Sequence, residues 1–327
     1  MATYKEIKGT QIEAVATDPS NPVEGQVWYN TTSNVLKGQA ATTVGAWATG
    51  NNMNNSRAGF AAGLGIYTAS IAAGGDNPAA VTTETWNGTN WTETNDLNTA
   101  RYGASGSGST TAGLVFGGVV NPSTVKGETE SYNGTNWTEV NDLNTSRGNG
   151  AASFQGTSTA SLMASGQTAP STFLANTETF NGTNWTEVND VNTARRLFGG
   201  SGTNPSGLIF GGSPSADTEL WNGTNWTEVN NLNTARSQGT GTGASNTSAL
   251  CFGGTGSPNV ALTEEWNGTN WTEVADLNVG RNGLTGTGNA TNGLAFGAES
   301  PSGSPSRQGT ELWTGAGAGV TRTFTDS

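Results

Sequence analysis

The residues in this 327-residue chain that could do chemistry are its paired carboxylates, Glu84 with Glu93, Glu130 with Glu139, Glu178 with Glu187, Glu219 with Glu228, and Glu264 with Glu273. Two acids flanking a glycosidic bond can hydrolyse it, one donating a proton while the other attacks or activates water. A catalytic centre, however, needs a constellation that occurs once and sits in one cleft, and this pair returns with every repeat. The expectation is that these glutamates are solvated or paired at the surface with the arginine of the repeat, in ion pairs worth little. The chain has no histidine and one cysteine, which removes the commonest general base and metal ligand. Carboxylates and carbonyls alone would remain to hold a cation such as calcium. Cys251, in S-A-L-C-F-G-G, reads as a small buried strand residue, since no basic residue nearby in sequence would activate a thiol. The N-x-T triplets at Asn87 and Asn90 match glycosylation acceptors but read as turn and strand residues. No catalytic residue, cofactor site or metal site is expected.

These residues are positioned by a repeat. The stretch 83–101, T-E-T-W-N-G-T-N-W-T-E-T-N-D-L-N-T-A-R, returns at 129–147, 177–195, 218–236 and 263–281. Its second Trp recurs as Trp91, Trp137, Trp185, Trp226 and Trp271, at intervals of 46, 48, 41 and 45 residues. A period in this range marks a supersecondary unit that buries its apolar face only against copies of itself. Within the unit, Asn-Gly between β-prone runs signals a hairpin, because both residues tolerate positive φ. The hairpin would set Trp86 against Trp91, Tyr132 against Trp137, Phe180 against Trp185, Trp221 against Trp226, and Trp266 against Trp271. An Asn follows each second Trp by seven residues, and an Arg follows that Asn by three, from Asn98 and Arg101 to Asn278 and Arg281.

Trp47 keeps this spacing with Asn54 and Arg57 but lacks the preceding T-E-x-W. Conversely, T-E-L-W at 310–313 lacks the following N-G-T-N-W. Joining the half-unit of Trp47 to the half-unit of Trp313 makes a sixth unit and closes the array, removing its open edges. Between each Arg and the next T-E-x-W lie two further strands. The first is built of Gly, Ala and Ser, as at 101–109, to suit a crowded axis. The second is apolar and ends in Gly-Gly, as in L-V-F-G-G at 114–118, L-I-F-G-G at 208–212 and L-C-F-G-G at 250–254.

The Arg opening the first strand, the strand ending in Gly-Gly, the aromatic after Glu and the spaced Trp together resemble the kelch-repeat β-propeller, over roughly residues 45–314. The resemblance implies an all-β, six-bladed kelch-like β-propeller closed by pairing of N- and C-terminal strands. L-M-A-S-G at 162–166 and F-G-A at 296–298 each lack one glycine of the pair, which implies an altered turn there. The chain is also similar to structural proteins of tailed bacteriophages, particularly marine phages. The similarity rests on P-V-E-G-Q-V-W-Y-N-T-T-S-N-V-L-K at 22–37, the N-G-T-N-W-T-E repeats, and T-G-A-G-A-G-V-T-R-T-F-T at 314–325. It implies a non-enzymatic virion structural protein, a tail fibre or a tail or capsid appendage. Such a protein would be made in the host cytoplasm and would present the propeller for host-surface or glycan attachment. The alternative is a virion decoration or assembly subunit that contacts neighbouring virion proteins without a receptor.

Composition bounds the partners. A net charge of −12 argues against nucleic acid, whose partners show a basic surface. No apolar run is long enough to span a bilayer, and M-A-T-Y-K-E-I-K-G-T has no apolar leader core, so neither membrane insertion nor a signal peptide is expected. Glycine at 49 positions is about twice the usual frequency; with 11 regularly spaced Trp it reads as many short strands and tight turns. The expected organisation is an N-terminal anchoring segment with a small hairpin at 1–40, the propeller at 41–314, and a tail strand at 315–327. Tyr4, Trp28 and Tyr29 are the candidate anchoring residues toward other virion proteins, and a homo-oligomer is compatible with this plan. The alternating strand at 320–325 could join the Trp28 hairpin or compete with Trp47 for the last outer position. Individuality should reside in the loops 76–82, 119–128, 167–176, 213–217, 255–262 and 299–309, since loops vary over a rigid scaffold. The candidate binding residues there are Asn77, Asn121, Phe173, Ser213, Asn259 and Ser302.

Overall fold

The computed structural model describes residues 12–20, 22, 25–41, 44–57, 60–75, 81–120, 124–152, 156–168, 172–213, 215–255, 260–298, 305–316 and 319–324. Among these residues the chain is all-β, with one 3-10 turn at Pro305–Gln308 and no α-helix. It divides into two compact units, Met1–Gly45 with Thr314–Ser327, and Ala46–Trp313.

The terminal unit is a four-stranded sheet in the order Glu13–Val15, Val27–Asn30, Val35–Ala41, Gly319–Phe324. The first pair is parallel and the other two antiparallel, with Leu36 opposite Tyr29 on one side and Phe324 on the other. The tail strand therefore joins the Trp28 hairpin, and the outer position it could have contested goes to Ala46–Thr49. One carboxylate organises the hairpin: Asp18 accepts hydrogen bonds from Trp28 Nε1 at 2.9 Å, Asn30 Nδ2 at 2.7 Å and Lys37 Nζ at 2.7 Å. These donors, Lys37 foremost, hold the Asp18 pKa down at about 2, because each favours the charged form.

The larger unit holds six four-stranded antiparallel sheets among its described residues. Sheet 1 runs, inner to outer, Ala62–Ile66, Ala69–Ala73, Thr83–Trp86, Trp91–Thr94; sheet 2 runs Ser105–Ser109, Ala112–Phe116, Thr129–Tyr132, Trp137–Val140. Sheet 3 is Ala151–Ala152, Ser161–Gln167, Phe173–Phe180, Trp185–Val188; sheet 4 is Gly199–Thr203, Ser206–Phe210, Thr218–Trp221, Trp226–Val229. Sheet 5 is Thr240–Ser245, Ser248–Phe252, Thr263–Trp266, Trp271–Val274. Sheet 6 combines Thr285–Gly288, Asn292–Phe296 and Thr310–Thr314 with Ala46–Thr49 from the other end of the chain.

Small residues mark the inner strands because backbones meet there. A Cβ on Gly106 would lie 2.7 Å from the Gly63 carbonyl oxygen, and one on Gly286 would lie 2.9 Å from that of Gly241. Apolar burial is divided into layers between neighbouring sheets. Ala62, Leu64 and Ile71 of sheet 1 pack with Val115, Tyr132 and Trp137 of sheet 2. Leu114 and Phe116 of sheet 2 pack in turn with Met163, Phe180 and Trp185 of sheet 3. Leu294 and Phe296 of sheet 6 pack with Trp86 and Trp91 of sheet 1.

The aromatic pairs stand opposite one another as the spacing predicts, with centroids 5.4 Å apart for Trp86 and Trp91, 4.8 Å for Tyr132 and Trp137, and 5.2 Å for Trp221 and Trp226. Trp47 meets Trp313 in the same way, at 5.4 Å. The turn between the rings differs from the expected one. Only its glycine takes positive φ, 92° at Gly88, while Asn87 Oδ1 accepts the backbone N–H of Thr89 at 3.0 Å and of Asn90 at 2.8 Å. Asn supplies a side-chain cap here and not a left-handed backbone, since four residues bridge the strands and two of their N–H groups need an acceptor.

Candidate ligand-binding site

The repeat glutamates are the first candidates, and the structure corrects their expected place. Glu84, Glu130, Glu178, Glu219, Glu264 and Glu311 are no more than 2% exposed, and each pairs with the arginine of the preceding repeat. Arg57 reaches Glu84 at 3.1 Å, Arg101 reaches Glu130 at 2.5 Å, Arg147 reaches Glu178 at 2.7 Å, and Arg236 reaches Glu264 at 2.9 Å. Arg195 with Glu219 and Arg281 with Glu311 complete the series. The repeat Asn holds the other carboxylate oxygen: Asn144 donates its backbone N–H and its Nδ2 to Glu178 Oε2, both at 2.8 Å, and Nδ2 also bonds the Trp185 carbonyl at 3.0 Å. Burial pushes the Arg57 and Arg147 pKa values below the usual arginine range, against the opposing pull of Glu84 and Glu178. Acids bonded on both oxygens inside a sheet interface bind neighbouring sheets together and meet no substrate. The second acid of each pair, such as Glu93 or Glu139, is exposed on an outer strand.

A site appears where the chain passes from each outer strand to the next inner one. Phe60, Gly103, Asn149, Leu197, Gln238 and Gly283 all take left-handed backbone, with φ of 55°, 60°, 56°, 58°, 58° and 62°. Each donates its N–H to the carbonyl of the previous member, and Phe60 donates to Gly283, at 2.8–3.2 Å throughout. Non-glycine residues seldom hold this conformation, and a cluster of them is a pointer to function. The circle surrounds a small funnel, open to solvent and lined by Phe60, Ala104, Asn149, Leu197, Phe198 and Leu284, with Ser105, Thr240 and Thr285. Among the described residues no charged side chain lines it. The sequence signal was a fixed offset, two residues after the repeat Arg and three after Arg57, but the residue types share nothing and it went unread.

Beside the funnel, two loop candidates converge on a residue that sequence reading missed. The Arg196 guanidinium lies 5.2 Å from the Phe173 ring centroid, its Nη1 donates to Gln167 Oε1 at 2.5 Å, and its carbonyl accepts the Ser213 N–H at 3.2 Å. Its Nε is buried and unpartnered. Gln167 exchanges backbone hydrogen bonds with Gly148, which precedes Asn149, and Arg196 precedes Leu197; the cluster therefore adjoins the funnel rim. The visible clue was the doubled arginine at the end of the 177–195 repeat, Arg195-Arg196. Asn77, Asn121, Asn259, Ser302 and Tyr4 lie outside the described residues. Of the other anchoring candidates, Trp28 is fully buried, because Asp18 and the neighbouring strands enclose its indole, whereas Tyr29 is 37% exposed. Among the described residues no group of His, Cys, Asp and Glu is placed to hold a metal ion.

No protein-family model matches the chain, and no curated protein matches it. Among solved structures it is similar to that of YjhT, at 12% identity with a TM-score of 0.66, over 84% of this chain and 99% of that one. YjhT is kelch-type and β-propeller-like, so the likeness, with the repeated four-stranded sheets, supports a propeller fold and speaks to fold alone.

Proposed function

We propose that the chain is a non-enzymatic bacteriophage virion protein, a tail fibre or a tail or capsid appendage. In this reading the larger unit is a six-bladed kelch-like propeller closed through sheet 6, and it contacts glycan or protein on the host surface. The observation that carries the non-enzymatic, binding role is the disposition of the carboxylates. The first acid of each pair is consumed in a buried inter-sheet ion pair and the second stands apart from it on an exposed outer strand, while the face bearing the left-handed circle is where the repeats differ from one another. The virion assignment is supported by the two phage-like segments, 22–37 and 314–325, whose strands Val35–Ala41 and Gly319–Phe324 pair in one sheet. That terminal unit is the attachment to other virion proteins, with Tyr29 offering the exposed aromatic. The partners are protein and host surface, with no nucleic acid and no membrane insertion. The test is adsorption of the phage to its host in the presence of purified protein, together with antibody labelling of intact particles. Labelled particles and blocked adsorption are expected. Labelled particles with unimpeded adsorption would favour the decoration subunit, and unlabelled particles would remove the virion assignment.

A further inference from the structure

We propose that Arg196, stacked on Phe173 and steered by Gln167, is an oxyanion subsite at the funnel rim, and that with the funnel it binds an acidic saccharide bearing carboxylate or sulfate. The proposal deepens the attachment reading and rests on it.

Charge accounting leaves two arginines of the larger unit, Arg196 and Arg307, without an ion pair among the described residues, and of these Arg196 is the one stacked on a ring and bonded to a carboxamide. In the larger unit six arginines are committed to buried glutamates, and Lys126 pairs with Glu128 at 2.7 Å. Arg196 has no carboxylate within ion-pair distance among the described residues, in a chain of net charge −12. Its geometry is set in advance: the Gln167 carboxamide takes one N–H from Nη1 and the Phe173 ring supports the plane, while Nε is buried, as it is in five of the repeat arginines, so the Nη groups are the ones an anion would meet. A planar guanidinium held this way matches a carboxylate or sulfate edge and loses little freedom on binding. Screening over about 8 Å at physiological salt hides the more distant acids from the bound anion.

The funnel supplies the rest of the ligand's chemistry. Its walls are uncharged and mostly apolar, Phe60 offers a ring, and Asn149 offers a carboxamide beside Ser105, Thr240 and Thr285. Neutral donors and acceptors beside an aromatic face suit a hydroxyl-rich ring with an apolar flank. They suit an acidic peptide less well, since a peptide brings no hydroxyl-bearing ring to set against Phe60.

The experiment measures binding of the full chain to polygalacturonate, dextran sulfate, uncharged dextran and polyglutamate, for wild type and for Arg196→Gln, Arg196→Lys and Phe173→Leu. None of these positions belongs to the repeat ion pairs, and the thermal transition of each variant reports folding separately from binding. Wild type is expected to bind one acidic polysaccharide, and the choice between the two identifies carboxylate or sulfate. Arg196→Gln should weaken that binding by about tenfold or more, Arg196→Lys should restore only part of it, and added salt should weaken it further. Equal binding by Arg196→Gln, equal binding of dextran, or polyglutamate bound as tightly as the polysaccharide would each overturn the subsite. Adsorption blocked by wild type and Arg196→Gln alike would sink the subsite and leave the attachment reading standing. Arg196-dependent binding without any block of adsorption would do the reverse.

Discussion

Buried ion pairs stabilise a fold only while both members are present. The interaction between Arg147 and Glu178, both wholly buried, offsets two desolvation costs, so removing one charge strands the other. Glu178→Ala should lower unfolding free energy by about 3–5 kcal/mol in denaturant titration, whereas Arg147→Met with Glu178→Leu should lose much less. A second prediction concerns Glu265, where other repeats place Thr85, Ser131, Thr179 or Leu220. Its burial pushes the carboxyl pKa up, so the folded state favours the protonated form, and that contribution is present at low pH and lost as pH rises through the carboxylate range. Glu265→Gln should therefore raise Tm at pH 7, with the gain shrinking as pH falls toward 4. A gain that persists at low pH would exclude desolvation as its cause. The Asn and Arg of this network were legible as a fixed spacing and a pairing of Glu with the repeat Arg was among the expectations, but its burial and its crossing to the next repeat were not legible. Every repeat contains both the arginine and the glutamate, and only inter-sheet packing decides that the pairing crosses to the next repeat and is buried.

At the scale of elements, the strands were legible because apolar and small-residue runs alternate at a constant offset from Trp, whereas the turns were read only in outline. The sequence at 162–166 suggested an altered turn where one glycine is missing. The pairing does shift register there, between Ala164 and Gly166, while Ser165 adopts the glycine conformation, with φ of 54°. Left-handed backbone costs a non-glycine residue about 1–2 kcal/mol. The Ser165 hydroxyl offsets that cost: it lies 2.6 Å from the Leu174 carbonyl and 2.8 Å from that of Arg195, and accepts the Arg195 N–H at 2.9 Å. Sequence cannot show those partners, since they come from 9 and 30 residues away. Ser165→Ala keeps the backbone strain and removes the compensation, so it should destabilise by about 2 kcal/mol or more. Ser165→Gly relieves the strain and should cost distinctly less. Thermal unfolding of the two variants beside wild type orders them, and equal losses would show that the hydroxyl contributes nothing to the turn.

Closure belongs to the whole molecule, and it can be tested by asking whether the first outer strand behaves as an end. Trp47 is 7% exposed and Trp226 6%, and each indole N–H donates to a threonine Oγ1 at 3.0 Å, Thr263 and Thr177 respectively. Trp47 also packs on Phe252 at 4.9 Å and on Trp313 at 5.4 Å, and Trp226 on Trp221 at 5.2 Å with Ala164 in its cluster, so the two share burial, the threonine bond and the facing Trp. They differ in chain position, since Trp226 sits in the middle of the repeats while Trp47 joins its sheet from the far end of the sequence. In an open array, Ala46–Thr49 would belong to a terminal sheet that frays, because end units lack one stabilising neighbour. Trp47→Ala would then be cheap and would leave the main transition in place. In a ring no sheet is terminal, and truncating either Trp should remove about 3–5 kcal/mol from one cooperative transition. Denaturant unfolding followed by tryptophan fluorescence and by far-UV dichroism distinguishes the two. Coincident transitions with equal losses are expected, and a Trp47→Ala variant that unfolds in two steps, or loses less than half as much as Trp226→Ala, would open the ring.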